Sequence, residues 1–176
     1  RSTLFPYTTL FRSSYHDRLE FVTPDINTND IVMFGSFYAI NPVIRPQMLA
    51  FLEYAHQKGA ILYYDVNYRA SHKNEVVKVT ANILENFELA DIIRGSSEDF
   101  EVMFNKKDAD SVYRAQIDFY CKNFIYTQGG EPIEFRAKGG IAKQYAVPDT
   151  KTVSTIGAGD NFNAGFVYGL IKYGVT

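Results

Sequence analysis

The chain has 176 residues, 46% hydrophobic and 22% charged, enough for one substantial core and ordinary for a water-soluble globular domain. A net charge of -2 leaves no basic footprint for nucleic acid or an anionic membrane, and no run reaches the ~18 apolar residues of a spanning helix. The single cysteine, Cys121, excludes an intrachain disulfide or a cysteine metal cage and suits a reducing cytoplasm. On a predicted helix it reads as a small buried hydrophobe rather than a nucleophile.

In chain order, Arg1–Ser13 (RSTLFPYTTLFRS) carries no helical or strand period and has a Pro in its middle. It resembles the in-frame translation of a sequencing adapter and is set aside as non-native. The native part is then expected to start at residue 14, with residues 14–176 expected to form one partial domain without its N-terminal part. Asp30–Tyr38 is an apolar run read as a buried strand. Pro46 opens a helix with Met48, Leu49, Leu52 and Ala55 on one face, and Gly59 supplies its stop. Ala60–Val66 is a second strand, and His72–Phe87 a helix with Val76, Val79, Ile83, Leu84 and Phe87 inward. A third strand is expected at Ala90–Arg94, helices at Ser97–Phe104 and Ala109–Lys122, and a fourth strand at Asn123–Thr127. Glu131–Phe135 and Ile141–Val147 read as a hairpin around Lys138-Gly139-Gly140, and Gly157–Tyr173 as a closing helix. Alternating strands and helices with short links imply an α/β fold, a mostly parallel sheet with helices on both faces. Such sheets bind ligands at the carboxyl ends of their strands.

The strongest chemical signal is Val153–Phe166, VSTIGAGDNFNAGF. Gly157, Ala158 and Gly159 open an apolar-periodic helix and are followed at once by Asp160. Small residues there let the backbone approach a ligand, and the free first-turn N–H groups and helix dipole favour negative charge. A phosphoryl group in transfer spreads charge over its oxygens, so such a turn suits its transition state, with Asp160 placed to accept a proton. Spacing alone equally describes an ordinary glycine-rich helix start with a dipole-friendly Asp.

The segment IGAGDNFNAGF resembles the C-terminal signature of the ribokinase-like (PfkB) carbohydrate kinases. The resemblance implies a three-layer ribokinase-like fold, with Asp160 as catalytic base and Gly157, Ala158 and Gly159 as an anion hole. The signature commonly begins Asp-Thr where this chain has Ser154-Thr155, which puts the family's K+ site in doubt. Asp65-Val66-Asn67-Tyr68-Arg69 is similar to the family's Asp-Pro-Asn-x-Arg segment, implying phosphate or substrate roles for Asn67 and Arg69. Taken alone, Arg69 is simply a surface Arg after a strand. Ser96-Ser97-Glu98-Asp99 falls where the family has Asn-x-x-Glu, and either Glu98 or Asp99 is the implied acid that orders Mg2+-bound water. By composition the same stretch is an ordinary helix start. Thr127 and Gly129 match a Thr-x-Gly segment beside the nucleotide, and equally end a strand in a turn. Gly35-Ser36 is placed on the acceptor side. His16, His56 and His72 lack ligand spacing and receive no metal or catalytic role.

The resemblance spans roughly Asp30 to Thr176 and is most like fructokinase-type members. It implies an ATP- and Mg2+-dependent kinase acting on a small sugar, with ATP and sugar as its partners, no nucleic acid and no membrane. A homodimer is compatible with the full-length protein. The sugar pocket and lid of such kinases lie in N-terminal residues that this chain is expected to lack, so the chain itself is expected to be inactive. A nucleoside or other small-alcohol kinase of the same fold is the nearest alternative. A non-catalytic nucleotide-binding module is the more distant one.

Overall fold

Four five-residue strands, β1 (Ile31–Gly35), β2 (Ile61–Asp65), β3 (Ile92–Ser96) and β4 (Asn123–Thr127), lie side by side in chain order and run parallel in the computed structural model. Residues 23–149, 151 and 154–175 are described. The set-aside segment 1–13, His16, Val153 and Thr176 fall outside them. β5 (Ile133–Ala137) and β6 (Ile141–Tyr145) continue the sheet antiparallel. The connections between the parallel strands hold α1 (Ser36–Ile40), α2 (Arg45–Gln57), α3 (Val76–Leu89), α4 (Ser97–Phe104) and α5 (Ala109–Val112). The last helix is α6 (Ala158–Tyr173). Among the described residues no helix is long and apolar enough to cross a membrane.

Side chains alternate across the strands and so feed two different layers. One set, Leu62 and Tyr64 on β2, Ile93 on β3, Phe124 and Tyr126 on β4, packs with Leu52, Val79, Ile83, Phe87, Phe100 and Val112 in a single core. Crossovers that always step the same way along a parallel sheet place their helices on one side when they are right-handed, and the core composition agrees. The other set includes Tyr63, which hydrogen-bonds Asn163 and packs on Phe166. That face belongs to α6. The expected α/β sheet with helices on both faces is therefore present.

Several boundaries differ from the sequence expectation. The first strand stops at Gly35 and the chain turns at once into α1, with Ser36 at φ 56. A β-carbon at Gly35 would lie 1.8 Å from the Asp65 carbonyl oxygen, so β1 can pass this close to β2 only with glycine there. An apolar run of this length does not distinguish strand from short buried helix. The helix expected from His72 is preceded by a 3-10 segment, Ala70–Glu75, and α3 proper runs from Val76 to Leu89. The helix expected over Ala109–Lys122 is α for one turn, widens into a π turn at Tyr113–Ile117, and ends before the buried Cys121. β3 and β5 each begin two residues later than expected.

Candidate active site

The parallel strands all point their carboxyl ends the same way, so the segments after β1 to β4 gather at one edge of the sheet. The register sets Gly35 beside Asp65 and Ser96 beside Thr127. α6 brings its N-terminal turn to this edge. Three observations fix it there. A β-carbon at Gly159 would come within 3.2 Å of the Arg94 guanidinium. The Phe162 ring lies 5.6 Å from the Arg94 guanidinium carbon. Asn163 Nδ2 donates to Asp65 Oδ2 at 2.8 Å.

Beneath the turn lies a buried polar network. Arg94 Nη1 donates to Asp65 Oδ1 at 2.9 Å, and Nη2 donates to Thr127 Oγ1 at 2.7 Å. The Tyr63 hydroxyl donates to Asn163 Oδ1 at 2.8 Å. Burial pushes the Tyr63 phenol well above its usual value, with the nearby Asp65 carboxylate adding to the effect, so it serves as a neutral donor. Asp65 and Arg94 are each only 7% exposed, as befits ions that are paired and hydrogen-bonded. Neither motif nor spacing in the sequence assigns a role to Asp65, Arg94, Asn163 or Tyr63. A signal was present: Arg94 interrupts the apolar run of β3, and a charge in a buried strand requires a partner on a neighbouring element.

Asp160 is exposed in the first turn of α6. Gly157 is the N-cap at φ 79, and the helical ladder starts with Asn161 N–H donating to the Gly157 carbonyl at 2.9 Å. The three amides expected at 157–159 are not equivalent. Ala158 N–H donates to the Thr155 carbonyl at 3.1 Å, whereas the amides of Gly159 and Asp160 precede the ladder. Of the three amides named from the sequence, that of Ala158 is thus taken up within the turn itself.

The remaining candidates separate by environment. Asn67 is half-buried with a positive φ of 38, a strained value at the end of β2. Next to it Tyr68 is buried and donates to the His72 carbonyl at 2.6 Å, which anchors the segment and leaves Arg69 exposed. Thr127 is held by Arg94, and Gly129 sits in an open turn beyond it. The two candidate acids are distinct. Asp99 is buried, and its Oδ2 accepts from both the amide and the hydroxyl of Ser96, closing a capping box on α4. Burial raises the Asp99 carboxyl above its usual range despite those bonds. Glu98, by contrast, is exposed in the first turn of α4. Ser154 Oγ accepts from the Ile156 amide. Among the described residues no three His, Cys, Asp or Glu side chains converge on a metal-sized site.

A helix N-terminus with an exposed carboxylate is thus docked on the carboxyl edge of a mostly parallel α/β sheet, the edge where such sheets bind their ligands. Residues 7–174 match the family described as pfkB family carbohydrate kinase, and the chain belongs to that family. By sequence it is similar to 5-dehydro-2-deoxygluconokinase of Bacillus thuringiensis (strain Al Hakam), 27% identical over 147 residues, covering 81% of this chain and 44% of that protein. By structure it is similar to fructokinase from Vibrio cholerae O395 in its fructose-, ADP- and calcium-bound form, with TM-score 0.74 and 21% identity over 84% of this chain and 47% of that one. It is also similar to aminoimidazole riboside kinase from Salmonella enterica complexed with aminoimidazole riboside and an ATP analogue, with TM-score 0.69, 22% identity, and 81% and 48% covered. The chain spans less than half the length of these relatives.

Proposed function

We propose that this chain is the nucleotide-side part of an ATP-dependent kinase that phosphorylates a hydroxyl of a small sugar, fructokinase-like in its acceptor. The observation that carries the reading is the exposed Asp160 carboxylate one residue after Gly159, in a helix turn held at the sheet's carboxyl edge. Asp160 accepts the proton of the acceptor hydroxyl as that oxygen bonds to the γ-phosphorus and the bond from phosphorus to the ADP oxygen breaks. The Gly159 and Asp160 amides face the charge that builds on the transferring phosphoryl oxygens. Arg69 and Asn67 at the end of β2 orient the phosphate or acceptor, and Thr127 and Gly129 border the nucleotide. Mg2+ fits the donor set: a cation held mainly by nucleotide phosphates and water needs few protein ligands, and Glu98 is the acid open to solvent. When bound it would supply positive charge against the nucleotide phosphates. Asp99, already bonded twice by Ser96, holds α4 in place instead.

The likeness to aminoimidazole riboside kinase favours a second reading, a nucleoside-type acceptor on the same site. A panel of sugars and nucleosides offered to the full-length protein separates the two. In that protein Asp160→Asn lowers kcat by about 10²- to 10⁴-fold, the range for a lost general base, while nucleotide affinity is kept. An unchanged kcat removes Asp160 from its role as base, and no ATP-dependent phosphorylation of any sugar or nucleoside in the panel removes the kinase reading. The 176-residue chain alone shows no sugar-dependent ADP release above its Asp160→Asn variant. Measurable turnover would refute the proposal that the acceptor pocket lies outside it.

A further inference from the structure

Arg94 stands in the centre of the sheet, and its side chain is held by more elements than packing requires. A buried ion pair seldom adds stability over well-packed apolar residues. Its cost here is visible, because Arg94 Nε is buried with no hydrogen-bond partner among the described residues. The bonds it does make each reach a different element. Nη1 goes to Asp65 at the end of β2, and Nη2 to Thr127 at the end of β4. The guanidinium itself lies under Gly159 in the first turn of α6. Asp65 in turn accepts from Asn163, one helical turn further along α6. The N-terminal turn of α6 is thus held at two levels, by contact at Gly159 and by hydrogen bond at Asn163, and both run through the Arg94–Asp65 pair.

We infer that Arg94 is a positioning residue for phosphoryl transfer: its fork locks the ends of β2 and β4 beneath Gly159 and so sets the spacing between the first-turn amides of α6, the Asp160 carboxylate and the strand-end loops. The inference rests on the kinase reading above. The planar fork is needed because two acceptors on different strands must be met at once, which a lysine ammonium on its flexible stem does less well. The glycine at 159 follows from the same contact. A β-carbon 3.2 Å from Nη1 would press on a guanidinium bonded on both sides, which would have to shift by a few tenths of an ångström.

The test uses Arg94→Met and Arg94→Lys in the full-length protein, with kcat, the KM values for ATP and acceptor, and thermal midpoints measured together. Arg94→Met lowers kcat per folded molecule by about 10²-fold, the scale of a small misplacement at a reacting centre, with the acceptor KM little changed. Arg94→Lys recovers part of that loss. Where Arg94→Met does not fold, Arg94→Lys carries the test through a kcat below wild type at an intact midpoint. An unchanged kcat per folded molecule in the foldable variant overturns the inference, as does a loss of activity that only tracks the folded fraction. Asp160→Asn run alongside separates the two levels. If Asp160→Asn loses its rate while the Arg94 variants keep theirs, positioning by Arg94 falls and the kinase reading stands. If the full-length protein transfers no phosphoryl group to any sugar or nucleoside, both fall.

Discussion

The two faces of the sheet are built from alternate residues of the same strands and do opposite work. On the face covered by α1 to α5, Tyr64, Phe87, Phe100, Phe124 and Tyr126 are fully buried in a ring-rich, closed core. Phe100 alone packs against the rings of Phe104, Phe124 and Tyr126. On the α6 face the same strands present Tyr63, Asp65, Arg94 and Thr127, tied to α6 through Asn163. Beside this network an apolar groove of about 490 Å3 runs between α6 and the sheet, lined by Ile92, Ile125, Phe135, Phe162, Phe166 and Leu170 among others. The helical face maximises apolar burial, the principal source of stability. The α6 face gives up some of that burial for a specified position of one helix end. Stability and site geometry are thus separated by a single side-chain alternation.

That division can be broken by substitution. Phe87 is fully buried at the end of α3, away from the carboxyl edge, and touches the rings of Tyr64, Phe104 and Tyr120. Phe87→Ala costs about 3–5 kcal/mol of stability, read as a shift in the denaturation midpoint, while kcat per folded molecule stays at the wild-type value. A fall in kcat at unchanged midpoint would mean that the helical face also tunes the site. The Arg94 variants make the converse comparison, with kcat per folded molecule falling beyond what any shift in midpoint explains.

The smallest expected effect sharpens the seam between the faces. Asp99 is a buried carboxyl on the helical face directly after β3, and burial raises its pKa in the folded state. The folded protein therefore holds that proton to higher pH than the unfolded chain does. The stabilising contribution is complete below the unfolded value and is lost as pH rises through the folded one. Asp99→Asn, which keeps an oxygen acceptor for the Ser96 amide, flattens the stability–pH curve in the window just above the ordinary carboxylate value. Urea midpoints measured across that window check it, and parallel curves for variant and wild type would show that the Ser96 bonds outweigh desolvation.

Much of the architecture was legible without coordinates. α4 and β4 have the bounds the sequence implied, and α2 and α6 begin within one residue of their expected starts. Their signals are local: a capping box at Ser96, a proline in the first turn of α2, glycines flanking α6. Where the expectation missed, the deciding interaction was remote. Residue 35, the last of β1, must be glycine because the Asp65 backbone passes too close there for a side chain, a fact that resides thirty residues downstream. The helix after Ala109 widens at Tyr113, and no sequence period announces a π turn.

The candidate site divides in the same way. The amino-acid order alone determined the alternation of strands and helices, the small-residue turn before Asp160, and the likeness to carbohydrate kinases, because each is carried by neighbours along the chain. Only the tertiary structure decided that Arg94 joins Asp65 to Thr127, that it lies beneath Gly159, and that Asn163 meets both Asp65 and Tyr63. Those outcomes depend on which elements converge at the carboxyl edge of the sheet. Side chains from β2, β3, β4 and α6 meet there across separations of up to 100 residues, where no spacing rule reaches.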